Sequence, residues 1–140
     1  MKRYLLDTSA LLALRDDEPG ADQVTEILFQ AQNNHARVYG SFMTQMELYY
    51  RIWKDEGETE GRLAFEQCKT LPIEWINESP ELLMEAARVK ATHSLSLADA
   101  WIVATAFIKN GILVHKDPEF AAVDIEQLTL PFKRKMGDAH

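Results

Sequence analysis

Four carboxylates stand apart from the other acids of this chain: Asp7, Glu47, Asp99 and Asp117. Most of the 22 acidic residues lie in polar clusters such as Asp16-Asp17-Glu18 or Asp55-Glu56, which read as solvated surface. Asp7 instead interrupts an apolar run, Tyr4-Leu5-Leu6-Asp7-Thr8-Ser9-Ala10-Leu11-Leu12-Ala13-Leu14. Asp99 sits in Leu97–Ile108, a helix apolar nearly all round, with Ile102, Val103 and Ala106 on its own face at i+3, i+4 and i+7. Asp117 comes just after Ile112-Leu113-Val114-His115, and Glu47 follows Val38-Tyr39-Gly40-Ser41 after a short loop. An ionised carboxylate in apolar surroundings costs several kcal/mol unless it is paired or bound to a cation.

Each acid alone also fits a structural role. Asp7 can cap the helix after it, Ser96-Leu97-Ala98-Asp99 and Thr44-Gln45-Met46-Glu47 have capping-box spacing, and Asp117-Pro118 is a common turn pair. Capping does not explain several such anions crowded together, since two bare charges about 5 Å apart repel by a few kcal/mol at an intermediate dielectric. A hard divalent cation relieves that repulsion. An all-oxygen ligand set points to Mg²⁺ or Mn²⁺ rather than zinc. His35, His93, His115 and His140 show no zinc spacing, although His115 stands two residues before Asp117 at the same strand end. Such an ion can acidify a bound water and stabilise a leaving oxygen, the elements of metal-assisted hydrolysis.

Other chemistries lack their signatures. The chain has no GxSxG nucleophile elbow and no glycine-rich phosphate loop. Asp7-Thr8-Ser9 departs from the Asp-x-Asp of haloacid-dehalogenase phosphatases. Ile76-Asn77-Glu78 offers no phospho-acceptor Asp after the third strand, where a receiver domain has one.

The elements that must position the four acids alternate along the chain. Short apolar strands are predicted around Leu5–Leu6, at 37–41, 71–76, 112–115 and 126–130. Helices are predicted at 9–14, 20–34, 44–54, through Leu63–Cys68, from Ser79-Pro80 to Thr92, and from Ser96 to Asn110-Gly111, where Gly111 suits the helix end. This alternation predicts an α/β fold, a mostly parallel sheet of four to five strands covered on both faces. All four acids then fall at the carboxyl side of the sheet, where open α/β sheets bind ligands.

The chain's 140 residues suit one domain, expected over 1–132, with a basic and polar tail at 133–140 that includes Lys133-Arg134-Lys135. Fifteen basic residues against 22 acidic ones leave a net charge of −7, which excludes a broad basic surface for nucleic acid unless cations neutralise the acids locally. Cys68 is the only cysteine, so no internal disulfide is possible. Met1-Lys2-Arg3 opens like a signal peptide, but Asp7 breaks the apolar core and no cleavage site follows, so a cytoplasmic protein without a membrane span is expected.

Four blocks carry a resemblance. Leu6-Asp7-Thr8-Ser9-Ala10-Leu11, Ser41-x-x-Thr44-x-x-Glu47-Leu48, Leu97-Ala98-Asp99-Ala100-x-Ile102-x-Ala104-x-Ala106 and Leu113-Val114-His115-Lys116-Asp117-x-x-Phe120 resemble, in order and spacing, the blocks of a PIN domain. Length and organisation are similar to the VapC-type toxins of toxin–antitoxin pairs. The resemblance implies a three-layer α/β/α fold, a Mg²⁺- or Mn²⁺-dependent endoribonuclease, and a homodimer held in check by a cognate antitoxin. It implies Asp7, Asp99 and Asp117 as metal ligands, Glu47 completing the catalytic pocket, and Ser9 and Thr44 orienting the acids. Two departures stand in the fourth block: His115 where the family usually has Thr or Ser, and Glu119 where a second Asp is common. Arg15, Arg51, Lys54, His115 and the 133–135 cluster are candidate substrate contacts. Tyr49, Tyr50 and Trp53 can stack on bases, though at helical spacing such residues usually belong to a core. The alternatives are a non-catalytic cation-binding regulatory module, or a related nuclease acting on DNA or in RNA processing.

Overall fold

Five parallel strands form one sheet in the order β3-β2-β1-β4-β5 in the computed structural model, which describes residues 1–132. The strands are β1 (Lys2–Leu6), β2 (Ala36–Ser41), β3 (Glu74–Ile76), β4 (Ile112–His115) and β5 (Gln127–Thr129). The helices are α1 (Thr8–Arg15), α2 (Ala21–Gln32), α3 (Phe42–Glu56), α4 (Glu58–Cys68), α5 (Pro80–Thr92) and α6 (Leu97–Lys109), with a 3-10 turn at Pro118–Ala122. The expected basic tail at 133–140 lies outside the described residues.

The apolar strands follow from burial on both sides, as parallel sheets require. Tyr4 and Leu6 of β1, with Val38 and Val114, pack under α1–α4 on one face. Leu5, Tyr39 and Leu113 pack under α5, α6 and the 3-10 turn on the other. The result is a three-layer α/β/α sandwich. Among the described residues, no helix is long and apolar enough to cross a membrane.

The chain adds β2 and β3 on one side of β1, then crosses over to place β4 on the other. The strand order therefore reverses between β1 and β4, whose register pairs Leu5 with Leu113 and Leu6 with Val114. Such a reversal opens a crevice at the carboxyl ends of the strands. Asp7 is the first residue beyond β1, and Lys116-Asp117 are the first beyond β4.

Four local expectations need correction. The helix expected from Thr44 begins at Phe42, because Ser41 is its N-cap, accepting from the Met43 N–H at 3.1 Å. Thr44-Gln45-Met46-Glu47 is therefore no capping box. Helix α6 ends on Asn110 in the left-handed conformation (φ 53°), not on Gly111. Gly111 serves close packing instead: a Cβ there would lie 3.2 Å from the Leu5 backbone nitrogen. The third strand is only Glu74–Ile76, and the Asp117-Pro118 turn continues into the 3-10 segment before β5.

Candidate active site

Asp7 is only 4 % exposed. Its backbone N–H donates to the Val114 carbonyl (3.1 Å), tying it to β4, while its side chain caps α1 by accepting from the Ala10 N–H (2.9 Å). Capping at a positive helix end fixes the carboxylate's direction. The Ser9 hydroxyl reaches both carboxylate oxygens, at 2.7 and 2.9 Å, and accepts the Lys116 N–H at 2.9 Å. Asp99 lies in the first turn of α6, half-buried, with its N–H donating to the Ser96 cap at 3.1 Å. Asp117 caps the 3-10 turn, accepting from the Glu119 N–H at 2.9 Å. The carboxylates of Asp99, Asp117 and Glu119 offer oxygens within 4.8 Å of one another.

The electrostatics match this crowding. Burial first, then the charges of Asp99 and Asp117, push the Asp7 carboxyl up to about 7 against the opposing hydrogen bonds from Ser9 and Ala10. Asp99 rises to about 6, again chiefly through burial, then through Asp117, with Glu47 and Glu119 adding to the repulsion and Ser96 opposing it. Asp99 and Asp117 thus act on Asp7, and Asp117, Glu47 and Glu119 act on Asp99, acids drawn from four separate parts of the chain. An all-carboxylate set so desolvated suits a hard divalent ion with oxygen ligands.

Glu47 owes its place to Thr8. The buried Thr8 hydroxyl donates to Glu47 Oε1 (2.7 Å) and lies 3.1 Å from the Thr44 hydroxyl, so α1 and α3 are joined at the cleft wall.

A model of the PIN domain matches residues 4–126. The chain belongs to the PIN domain family. No curated protein matches it significantly in sequence. In fold, this PIN domain is similar to a chain of VapBC2 from Rickettsia felis, solved with a promoter DNA fragment (TM-score 0.73, 16 % identity, covering 92 % of this chain and 99 % of that one). It is similar to a chain of DNA-bound VapBC from Salmonella typhimurium (TM-score 0.73, 17 % identity, 92 % and 98 %). It is also similar to the sarcin–ricin-loop-cleaving toxin VapC20 of Mycobacterium tuberculosis (TM-score 0.71, 16 % identity, 91 % and 99 %).

Beside the acids of this PIN domain runs an open groove of about 540 Å³ lined by Ser9, Arg15, Arg51, Asp55, Glu56 and Lys116, among others. Arg15 points into it but is already engaged: its guanidinium forks onto Glu56 at 2.9 and 3.0 Å and reaches Asp16 at 3.0 Å. Arg51 is exposed and makes no hydrogen bond or ion pair among the described residues. The Lys116 ammonium lies 3.4 Å from Glu18 and 3.0 Å from the Pro19 carbonyl.

His115 is corrected as a substrate contact. It lies on β4 between β1 and β5 and is 2 % exposed, so no substrate reaches its ring. Of the aromatic trio, Tyr49 donates to Glu58 and packs on Trp53 and Phe65, whereas Tyr50 and Trp53 are exposed rather than core. Thr8 and Lys116 join the site residues expected from the sequence, and Glu119 lies with Asp99 and Asp117. The polar signal at Thr8 was present, as one of two hydroxyls interrupting the first apolar run.

Proposed function

We propose that this PIN domain, residues 1–132, is a Mg²⁺- or Mn²⁺-dependent endoribonuclease and the toxin of a type II toxin–antitoxin pair. It acts in the cytoplasm, as a homodimer restrained by a cognate antitoxin protein. The observation that carries the nuclease reading is the meeting of Asp99, Asp117 and Glu119 within 4.8 Å, near a buried Asp7 whose acidity is weakened by burial and by the charges of Asp99 and Asp117. The toxin reading draws support from the fold shared with chains of VapBC complexes and with a toxin that cleaves the sarcin–ricin loop.

Asp7, Asp99 and Asp117 would hold the ion, with Glu119 within 4.8 Å of the carboxylates of Asp99 and Asp117. When bound, a divalent ion supplies a hydrolytic nucleophile at neutral pH and offsets negative charge on the phosphate. The chain's own residues do the rest. Ser9 aims the Asp7 carboxylate, Thr8 holds Glu47 at the cleft wall, and Ser96 fixes the first turn of α6 that bears Asp99. Arg51 is placed to take a backbone phosphate in the adjoining groove. A net charge of −7 is compatible with an RNA substrate because the acids are concentrated where cations would sit.

The test is cleavage of RNA and of matched DNA by the purified protein with Mg²⁺, with Mn²⁺ and with EDTA. RNA cleavage that needs the metal and disappears in Asp7→Asn is expected. Equal cleavage in EDTA overturns the metal mechanism, preference for DNA overturns the ribonuclease assignment, and metal binding without turnover on varied RNAs leaves a cation-binding module.

A further inference from the structure

We propose that His115 is a positioning residue: a buried histidine, held in one tautomer by Gln127, that fixes the turn presenting Asp117 and Glu119 to the cation. The inference rests on the proposed reading of that turn as part of a metal-dependent site.

The hydrogen bonds leave one assignment. A backbone N–H only donates, so Nδ1 of His115, which lies 2.9 Å from the Asp117 nitrogen, must be an unprotonated acceptor. The ring proton therefore resides on Nε2, where it is donated to Gln127 Oε1 at 2.8 Å. The Gln127 amide orientation follows, and its two N–H groups donate to the carbonyls of Phe120 (2.8 Å) and Val123 (3.0 Å). The ring also packs edge-on against Phe120, with centroids 4.9 Å apart.

His115 Nδ1 and the Gln127 amide nitrogen thus both hold one object, the segment 117–123, while Nε2 and Oε1 tie the two side chains to each other. That segment begins with Asp117 and carries Glu119 in its first turn. Neighbouring amides are held as well: Lys116 N–H by the Ser9 hydroxyl, Glu119 N–H by the Asp117 carboxylate and Phe120 N–H by the Asp117 carbonyl. His115 and Gln127 both reach the segment from the sheet, on the paired strands β4 and β5. Groups behind metal-binding residues typically alter metal affinity by about 10- to 100-fold when removed.

Two near-isosteric replacements divide the role. In His115→Asn the side-chain oxygen takes the place of Nδ1 and still accepts the Asp117 N–H, while contact with Gln127 is lost. In His115→Gln the terminal amide takes the place of Nε2 and can still meet Gln127, while nothing accepts from Asp117. Mn²⁺ affinity is measured by electron paramagnetic resonance on the folded full-length variants, with circular dichroism as the check of folding. We expect His115→Asn to hold Mn²⁺ within about threefold of the wild type and His115→Gln to lose roughly tenfold or more. Long-range proton–nitrogen NMR of the wild-type ring should show the proton on Nε2. Equal Mn²⁺ affinity in all three proteins, equal losses in both variants, or a proton on Nδ1 overturns the proposal. Binding rather than turnover is the readout, so a wild type that binds Mn²⁺ without cutting RNA sinks the nuclease reading and still decides this one.

Discussion

Ser9 and Lys116, separated by 107 positions in sequence, share a hydrogen bond of 2.9 Å at the mouth of the cleft. The same Ser9 hydroxyl holds Asp7, so one oxygen couples the acid after β1 to the loop after β4. Replacing Ser9 with Ala removes both links at once. The expected result is about 1–2 kcal/mol of lost stability and a larger loss in activity, on the order of tenfold or more. Denaturant unfolding beside RNA cleavage rates measures both, and unchanged kcat in a folded Ser9→Ala protein would remove Ser9 from the site.

The raised pKa of Asp7 makes stability depend on pH in a definite direction. Its folded value of about 7 exceeds the ordinary 3.8, so the folded state binds the proton more tightly than the unfolded state does. Stability from this group is complete below about 4 and is lost as pH climbs through about 7. The gap corresponds to roughly 4 kcal/mol at most. In EDTA, the wild type should be less stable at pH 7.5 than at pH 5, and Asp7→Asn should flatten that slope while abolishing activity. Mn²⁺ should restore the wild type at pH 7.5 and leave the variant unmoved. Urea titrations at the two pH values decide, and parallel slopes in both proteins would contradict it.

Thr8→Val keeps the shape of a buried side chain and deletes the donor to Glu47 Oε1. Glu47 is then free to swing from the wall. RNA cleavage under single-turnover conditions should fall by about tenfold, and Thr8→Ser should recover most of it. Full activity in Thr8→Val would show that Glu47 needs no anchor.

Arg51 and Arg15 line the same groove but differ in engagement, since Arg15 is clamped by Glu56 and Asp16. Arg51→Ala should raise KM with kcat nearly unchanged and reduce the salt dependence of RNA binding by about one phosphate contact. Arg15→Ala should act mainly on stability. Binding isotherms at several salt concentrations separate the two, and an unaltered salt slope in Arg51→Ala would exclude it as a phosphate contact.

The layered sheet was legible because parallel strands must be apolar on both faces, and Leu5-Leu6 and Leu113-Val114 are. Asp99 was legible for the related reason that a charge in the apolar run of α6 demands an explanation. The start of α3 was not. Ser41 and Thr44 are both capping residue types, and only the pairing of Ser41 with Ile76 across β2 and β3 decides that the strand runs up to the cap. Asn110 and Gly111 likewise both suit a helix end, and the tight approach of Gly111 to β1 settles which residue turns. Thr8 escaped because its partner, Glu47, lies 39 residues away, beyond any local pattern. His115 looked like a polar strand end, whereas its burial depends on β5 arriving from the far side.

The strand crossover carries a consequence for biosynthesis. The central pairing joins residues 4–6 with 112–114, so the ribosome must release most of the polypeptide before the two lips of the cleft can meet. A product terminated before residue 112 would own the first three strands and the Asp7, Glu47 and Asp99 codons' output, yet would lack the lip that bears Asp117. Premature termination should therefore yield inert fragments, not partly active protein.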